Sequence, residues 1–248
     1  MPTDTSRAGV GSVLADVALL GPFFELATPG TDDRDDWVPF ARLHTDPGPL
    51  GERIARVAAA LGAGERVAAS IAFQGLVARL VAAPLAAVVL HGVLPATDDL
   101  SRRPGADDPW APGLPEVTGV RTPDPVRDPD GAAALLSDGL VDGLVAPLVD
   151  AVRSLVPVSA HVLWGNVASS LSGAGRVLDP ARPGARPALL GVLAGLMDRA
   201  PLAGTGRLLR LEEDRPDTEW GFRRRSCCLY YRVPGGGLCG DCVLQGRR

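Results

Sequence analysis

All four cysteines of this 248-residue chain lie close together near its C-terminal end. They run as Cys227-Cys228, then ten residues that include Pro234-Gly-Gly-Gly, then Cys239-Gly-Asp-Cys242. Structural cysteines are usually spread through a core as small buried hydrophobes, so this grouping indicates a metal or cluster site. Four neighbouring thiolates are the ligand set of a structural zinc ion or of an iron–sulfur cluster.

The spacing of the cysteines favours an iron–sulfur cluster over a zinc ion. A structural zinc site usually takes two Cys-x-x-Cys pairs, and only Cys239 and Cys242 have that form. The adjacent Cys227 and Cys228 can bring both sulfurs to one small ion only through a strained loop, which favours a centre with two metals. A [2Fe-2S] cluster needs four thiolates, and the chain has four. A zinc-stabilised binding module is the alternative.

A disulfide framework is the third interpretation of the cysteines. It would require an oxidising compartment. The N-terminal region shows no signal peptide, because Asp16 interrupts the apolar stretch from Val13 to Leu20. We therefore expect a protein of the reducing cytosol, in which the thiols stay free to bind metal.

The cysteine motif resembles the C-terminal end of the FhuF-like ferric-siderophore reductases. It reads Arg-Ser-Cys227-Cys228-Leu-Tyr-Tyr and then Leu-Cys239-Gly-Asp-Cys242. The resemblance implies an oxidoreductase with a [2Fe-2S] cluster on these four cysteines, which passes one electron to siderophore-bound Fe(III) and releases Fe(II). It also implies an external electron donor, such as a ferredoxin or a reductase. The site would lie in the cytoplasm or at the inner face of the membrane.

Several functional points stay open under this resemblance. The siderophore is not specified, and the hydroxamate type is one candidate. Outer-sphere electron transfer needs no general base or nucleophile, so no catalytic residue beyond the cluster is expected. An iron–sulfur redox or iron sensor, whose cluster changes conformation without turnover, is the alternative function.

Two internal stretches extend the resemblance. The segment from Ser70 to Arg79 is similar to the family's inner helix, which implies that Arg79 contacts bound siderophore or the cluster region; an ion pair with a carboxylate is the alternative. Leu-Trp164-Gly165-Asn166 is similar to a recurrent internal motif, so Trp164 and Asn166 are candidate substrate-binding residues. A glycine inside a helix costs about 1 kcal/mol relative to alanine. Gly165 therefore indicates a close approach, which we expect to be helix–helix contact.

Composition limits both the fold and the chemistry. Hydrophobic residues make up 46% and aromatic residues only 4%, and a core of Ala, Leu and Val favours helices. All 25 basic residues are arginine, which excludes Schiff-base, pyridoxal-phosphate and P-loop lysine chemistry. A net charge of -4 gives no sign of nucleic-acid binding. No Gly-x-Gly-x-x-Gly follows a strand, so no flavin or nicotinamide is expected.

The predicted fold is mainly α with a small β element (α+β). A helical siderophore-binding domain would span residues 1–213, and a short [2Fe-2S] segment residues 214–248. Helices are predicted at 12–20, 50–62, 67–90, 131–152, 156–173 and 188–197. The apolar stretch 67–90 reaches transmembrane length, but Gln74, Arg79 and Pro84 interrupt it, so we expect a buried helix that restarts after Pro84 and no integral membrane span.

The remaining segments are predicted to be loops and short strands. The proline-rich stretch 95–130 cannot sustain a helix and is expected to be a surface loop, with Trp110 and residues 117–120 packed on the core. Short strands at 207–212, 220–223 and 229–233 would present the cysteines. The glycines 235–237 are expected to offer N–H groups to the cluster. The arginines 223–225 would either tune its potential or form a solvated surface.

Overall fold

The computed structural model describes residues 4–5, 7–29, 36–106, 108, 110–210 and 220–245. Within these residues the chain is mainly helical, with a few short strands, as predicted. The α-helices are α1 (Arg7–Ala18), α2 (Arg42–Thr45), α3 (Gly48–Leu61), α4 (Glu65–His91), α5 (Pro129–Leu136), α6 (Ala146–Leu155), α7 (Ala160–Ala181) and α8 (Arg186–Met197). The strands are β1 (Asp4–Thr5), β2 (Val38–Pro39), β3 (Val93–Pro95), β4 (Ser101–Arg102), β5 (Gly119–Arg121), β6 (Gly206–Arg210) and β7 (Trp220–Arg224).

Helix α4 forms the centre of the core and packs mainly against α7 and α3. Its Ala, Val and Leu side chains are buried almost around its whole circumference, as expected for a helix enclosed on all sides. The predicted interruption at Pro84 is wrong, because α4 continues through it to His91. Proline removes one backbone hydrogen bond. The burial of the neighbouring turns outweighs that loss here.

Two helical stretches are long and apolar enough to cross a membrane by length and composition alone. They are residues Glu65–His91 and Pro129–Leu155, with 72% and 56% of their apolar windows buried inside the protein. The central helix of a soluble core meets the same criterion, so this is weak evidence for a span. Both stretches already have protein packed around them, which is consistent with the expected absence of an integral span.

The helical stretch from Pro129 to Leu155 is divided into three consecutive segments. Residues Ser137–Val145 form a wider π-helical segment between α5 and α6, and Pro147 lies in the first turn of α6. The next helix, α7, begins at Ala160 with Ser159 as its N-cap, and it continues past Gly173 to Ala181. The predicted start at Val156-Pro157 and the predicted end near Gly173 are therefore both wrong.

The described residues of the proline-rich stretch form no α-helix before Pro129, as predicted, but they include short strands and are more ordered than a loop. Strand β5 pairs antiparallel with β3 and β1, and β4 pairs with β2. Trp110 is buried, as expected, between the guanidinium groups of Arg53 and Arg102, whose central carbons lie 4.8 and 4.9 Å from the ring centroid. Cation–π contacts of this kind hold the segment against α3.

A β-hairpin leads into the cysteine segment. Strands β6 and β7 pair antiparallel, with Leu208 opposite Phe222 and Gly206 opposite Arg224. The strand predicted at 229–233 is wrong: Leu229 has a left-handed conformation with φ of 69°, and Tyr230–Arg232 form a 3-10 turn. The predicted domain boundary between residues 213 and 214 lies outside the described residues.

Candidate metal centre and adjacent cavity

The turns after β7 bring the two halves of the cysteine motif together. The left-handed Leu229 reverses the chain after Cys228, and Gly235, with φ of 72°, turns it back toward Cys239. The Cys228 and Cys239 sulfurs lie 3.5 Å apart. Metal–sulfur bonds of about 2.3 Å, as for zinc, would place two thiolates of a tetrahedral metal about 3.8 Å apart. This pair is therefore spaced almost as two ligands of one metal.

The donor set suits a centre with two metals. All four cysteines are free thiols, with Cys228 and Cys242 buried and Cys227 and Cys239 half-buried. In the described part of the chain, no three His, Cys, Asp or Glu side chains converge on a single ion. Two irons that take two thiolates each need only pairs, and Cys228 with Cys239 is such a pair. The residues present therefore fit a [2Fe-2S] cluster.

Backbone N–H groups support two of the sulfurs. The Leu229 N–H donates to Cys227 Sγ with an N–S distance of 3.3 Å, and the Leu244 N–H donates to Cys242 Sγ at 3.4 Å. Each donor follows its cysteine by two residues. The predicted donors, glycines 235–237, make no such bond to sulfur among the described contacts. Hydrogen bonds to sulfur are one of the means by which a protein sets a cluster's potential.

The cysteines are not equivalent as acids. The contact with the Cys239 sulfur lowers the pKa of Cys228 to about 6, and the same contact raises the pKa of Cys239. Burial raises the pKa of Cys227. The thiolate is the form that binds metal.

A buried polar network joins the cysteine segment to the two central helices. Arg224 Nη2 donates to Asn166 Oδ1 at 2.6 Å, and Asn166 Nδ2 donates to the Ser70 carbonyl at 2.8 Å and to Ser70 Oγ at 3.0 Å. Ser70 Oγ in turn donates to the Cys228 carbonyl at 2.8 Å. Asn166 lies on α7 and Ser70 on α4, so the crossing of these helices positions the first pair of cysteines.

Gly165 is the point of closest approach between α7 and this segment. A β-carbon on Gly165 would overlap Ser226 Oγ and would lie 3.0 Å from Arg224 Nη2. The sequence predicts a close contact at Gly165, and the expected neighbour is a second helix. The neighbour is instead the chain that carries the cysteines.

Asp241, between Cys239 and Cys242, provides a second attachment to α7. Its carboxylate accepts hydrogen bonds from Ser169 Oγ and from Arg176, whose Nη1 lies 2.9 Å from Oδ1. The Asp241 carbonyl accepts a hydrogen bond from the Arg224 N–H at 3.1 Å. The Asp241 side chain is 8% exposed. It therefore joins the second pair of cysteines to both α7 and the end of β7.

Replacing Asp241 with asparagine is expected to lower the free energy of unfolding by about 1–2 kcal/mol, because a buried charge-assisted contact is lost. The value is at the low end because the Arg176 side chain is 34% exposed. Asp150→Asn is the matched control: Asp150 pairs with Arg153 on an exposed surface, so its loss is expected to cost less than about 0.5 kcal/mol. Urea unfolding measures both, and equal costs would contradict this role of Asp241.

A cavity of about 630 Å³ adjoins the cysteines. It opens between α4, α7, the turn Pro22–Phe24 and the cysteine segment, and its surface is mostly apolar. Phe23, Gln74 and Gly75 line one side, and Cys228 and Cys239 line another. The volume is in the range of small-molecule sites.

The predicted substrate-binding residues lie outside this cavity. Among the described residues that line it, neither Arg79 nor Trp164 nor Asn166 is found. Arg79 forms an ion pair with Asp108 and stacks on Phe23, which does line the cavity. Trp164 packs against the core, and Asn166 is buried in the polar network. Their role in substrate binding stays a prediction.

Several residues of the site were not singled out by their sequence positions. Ser169 and Arg176 carry no motif of their own, and Ser70 stands out only as the start of the inner-helix segment; the fold brings all three to the cysteines. Asp241 does have a local signal, because a carboxylate between two metal ligands must itself be neutralised by a cation or hydrogen bonds. The sequence does not distinguish Arg224 from its neighbours Arg223 and Arg225.

The C-terminal segment matches a known protein family. Residues 224–244 match the FhuF 2Fe-2S C-terminal domain. The match contains all four cysteines and confirms the FhuF-like resemblance and the [2Fe-2S] cluster, over a short part of the chain. No curated protein is similar enough to the chain to be matched. The assignment of the individual cysteines as ligands stays a prediction.

Proposed function

We propose that the protein, whose residues 224–244 match the FhuF 2Fe-2S C-terminal domain, is a cytoplasmic ferric-siderophore reductase. A [2Fe-2S] cluster held by Cys227, Cys228, Cys239 and Cys242 would supply one-electron transfer to the Fe(III) of the chelate, with the electron coming from an external donor. The chelated iron becomes Fe(II), which hard oxygen ligands hold far less tightly. The observation that carries the proposal is that Cys228 and Cys239 line a cavity large enough for a chelate.

The residues around the cavity have separate tasks in this proposal. The apolar faces of α4 and α7 and Phe23 enclose the ligand and keep water away from the sulfurs. Gln74, Ser169 and Ser170 provide polar groups at the wall. The only carboxylate among the described lining residues, Asp241, is neutralised by Arg176. The Asp241 carboxylate is therefore not an uncompensated negative charge in the cavity wall.

The proposal is tested with dithionite-reduced protein under anaerobic conditions. The protein is mixed with a ferric trihydroxamate or a ferric tricatecholate in the presence of a dye specific for Fe(II). Reoxidation of the protein matched by an equal amount of dye complex is expected for at least one chelate. Reoxidation without Fe(II) would favour a sensor, and no reoxidation by either chelate would contradict the proposal.

Filling the cavity is expected to slow this reaction. Gly75 lines the cavity within α4, and a β-carbon there would meet nothing closer than Arg53 Nη2 at 3.9 Å, so leucine can be introduced without backbone strain. We expect Gly75→Leu to lower the second-order rate of reoxidation by chelate at least about tenfold, equivalent to about 1.4 kcal/mol.

Gly184→Leu is the matched control, because Gly184 lies in a turn with open space around its α-carbon. Both variants should keep the visible spectrum and full reduction by dithionite. Stopped-flow measurement compares the two rates. If the chelate reoxidises Gly75→Leu as fast as Gly184→Leu, it does not bind in this cavity.

A further inference from the structure

Arg224 differs from its two neighbours in the arginine run. It is the last residue of β7 and is 1% exposed, whereas Arg225 is exposed and Arg223 half-exposed. Arginine is almost never fully buried unless its charge is balanced. Arg224 is therefore not part of a solvated surface, and its buried positive charge requires a negatively charged or hydrogen-bonding partner.

The contacts of Arg224 account for only part of its guanidinium. Nη2 donates to Asn166 Oδ1 at 2.6 Å and approaches the Val162 carbonyl at 3.3 Å. Nε and Nη1 are buried and have no hydrogen-bond partner. Within residues 4–5, 7–29, 36–106, 108, 110–210 and 220–245, no carboxylate forms an ion pair with it. The guanidinium thus has a buried charge and unused donors.

The negative groups that act on Arg224 are those of the metal centre. Burial lowers the pKa of Arg224, and the charges of Cys228, Cys239, Asp241 and Cys227 oppose that change. Asp241 is already paired with Arg176 and Ser169. The Arg224 N–H bonds the Asp241 carbonyl, which fixes the residue beside the second pair of cysteines. The thiolates are therefore the remaining counter-charge.

We propose that Arg224 is the built-in counter-charge of the [2Fe-2S] cluster and raises its midpoint potential. A fixed buried cation favours the state of the centre that carries one more electron, and the effect is strong where water is excluded. Asn166 acts as a positioning residue, because its side chain holds Nη2 in place. The inference requires the cluster and not a particular electron acceptor.

Redox titration of the reconstituted protein tests this inference. Arg224→Gln removes the charge, Arg224→Lys keeps it, and Arg225→Gln removes the same charge from an exposed position as a matched control. We expect a shift to more negative potential in Arg224→Gln, a smaller shift in Arg224→Lys, and none in Arg225→Gln. Equal potentials in Arg224→Gln and Arg225→Gln would overturn the proposal.

A second variant covers the case in which Arg224→Gln does not retain the cluster. Asn166→Asp leaves Arg224 in place but puts a carboxylate against Nη2, so it neutralises the cation without removing it. The potential should again become more negative, and an unchanged potential would reject the role of charge. If Arg224→Lys alone retains the cluster, the result supports the role of Arg224 as a counter-charge. If Arg224→Gln, Arg224→Lys and Asn166→Asp all lose the cluster, Arg224 acts through packing.

Discussion

Replacing Cys228 with alanine is expected to abolish the cluster. The chain has four cysteines, and a [2Fe-2S] centre with all-thiolate ligation uses every one of them. The Cys228 sulfur also lies 3.5 Å from the Cys239 sulfur. We expect less than about a tenth of the wild-type iron and sulfide per chain after anaerobic reconstitution, because no other thiolate can take its place. Visible absorption measures the same loss.

Ser226→Ala is the matched control for this experiment. Ser226 lies two residues before Cys228, and its buried hydroxyl has no hydrogen-bond partner, so its removal should cost little or should stabilise the fold. This variant should keep full iron and colour. A coloured, iron-loaded Cys228→Ala protein would refute the ligand assignment. Wild-type protein that binds only zinc and stays colourless would refute the cluster itself.

Replacing Gly165 with valine is expected to have the second-largest effect. Its β-carbon would overlap the buried Ser226 Oγ and crowd Arg224 Nη2, which is held by its hydrogen bond to Asn166. Overpacking of such a contact costs about 3 kcal/mol. The expected result is a lower free energy of unfolding together with loss of iron, because the clash displaces the segment that carries the cysteines. Chemical denaturation and iron analysis measure the two effects.

Gly173→Val on the same helix provides the comparison. A β-carbon at Gly173 would have Arg176 Nη2, a flexible side-chain end, as its nearest neighbour at 3.8 Å. Since glycine is a poor helix former, this variant should be neutral or stabilising by less than about 1 kcal/mol, and it should keep its iron. Equal destabilisation of the two variants would show that helix propensity, and not contact with the cysteine segment, governs Gly165.

The helices show where local patterns suffice and where they fail. The end of α3 at Gly62 follows from its sequence, because glycine readily takes the left-handed conformation that ends a helix. The continuation of α4 through Pro84 does not, since the compensation for the lost hydrogen bond comes from burial against other elements. The same applies to α7, which continues past Gly173 because Trp220 packs closely against Gly175.

The candidate site likewise has features that follow from the local sequence and features that depend on tertiary packing. The type, number and spacing of the cysteines predict the cluster without any fold, because ligand chemistry depends on which donors lie close together along the chain. The spacing did not reveal that Arg224 is buried while Arg225 is exposed, because burial depends on what packs against β7. Nor did it place Asn166, which shares a motif with Trp164 but holds Arg224.

The mainly helical fold and the iron–sulfur chemistry could be predicted from the sequence, because both arise from local composition and short-range spacing. The position of Cys228 and Cys239 at a cavity, and the contact of Ser70, Asn166 and Arg224 next to them, depend on tertiary packing. Ser70 and Cys228 are 158 residues apart along the chain. Contacts over such separations are set by the packing of α4 on α7, which no local pattern contains.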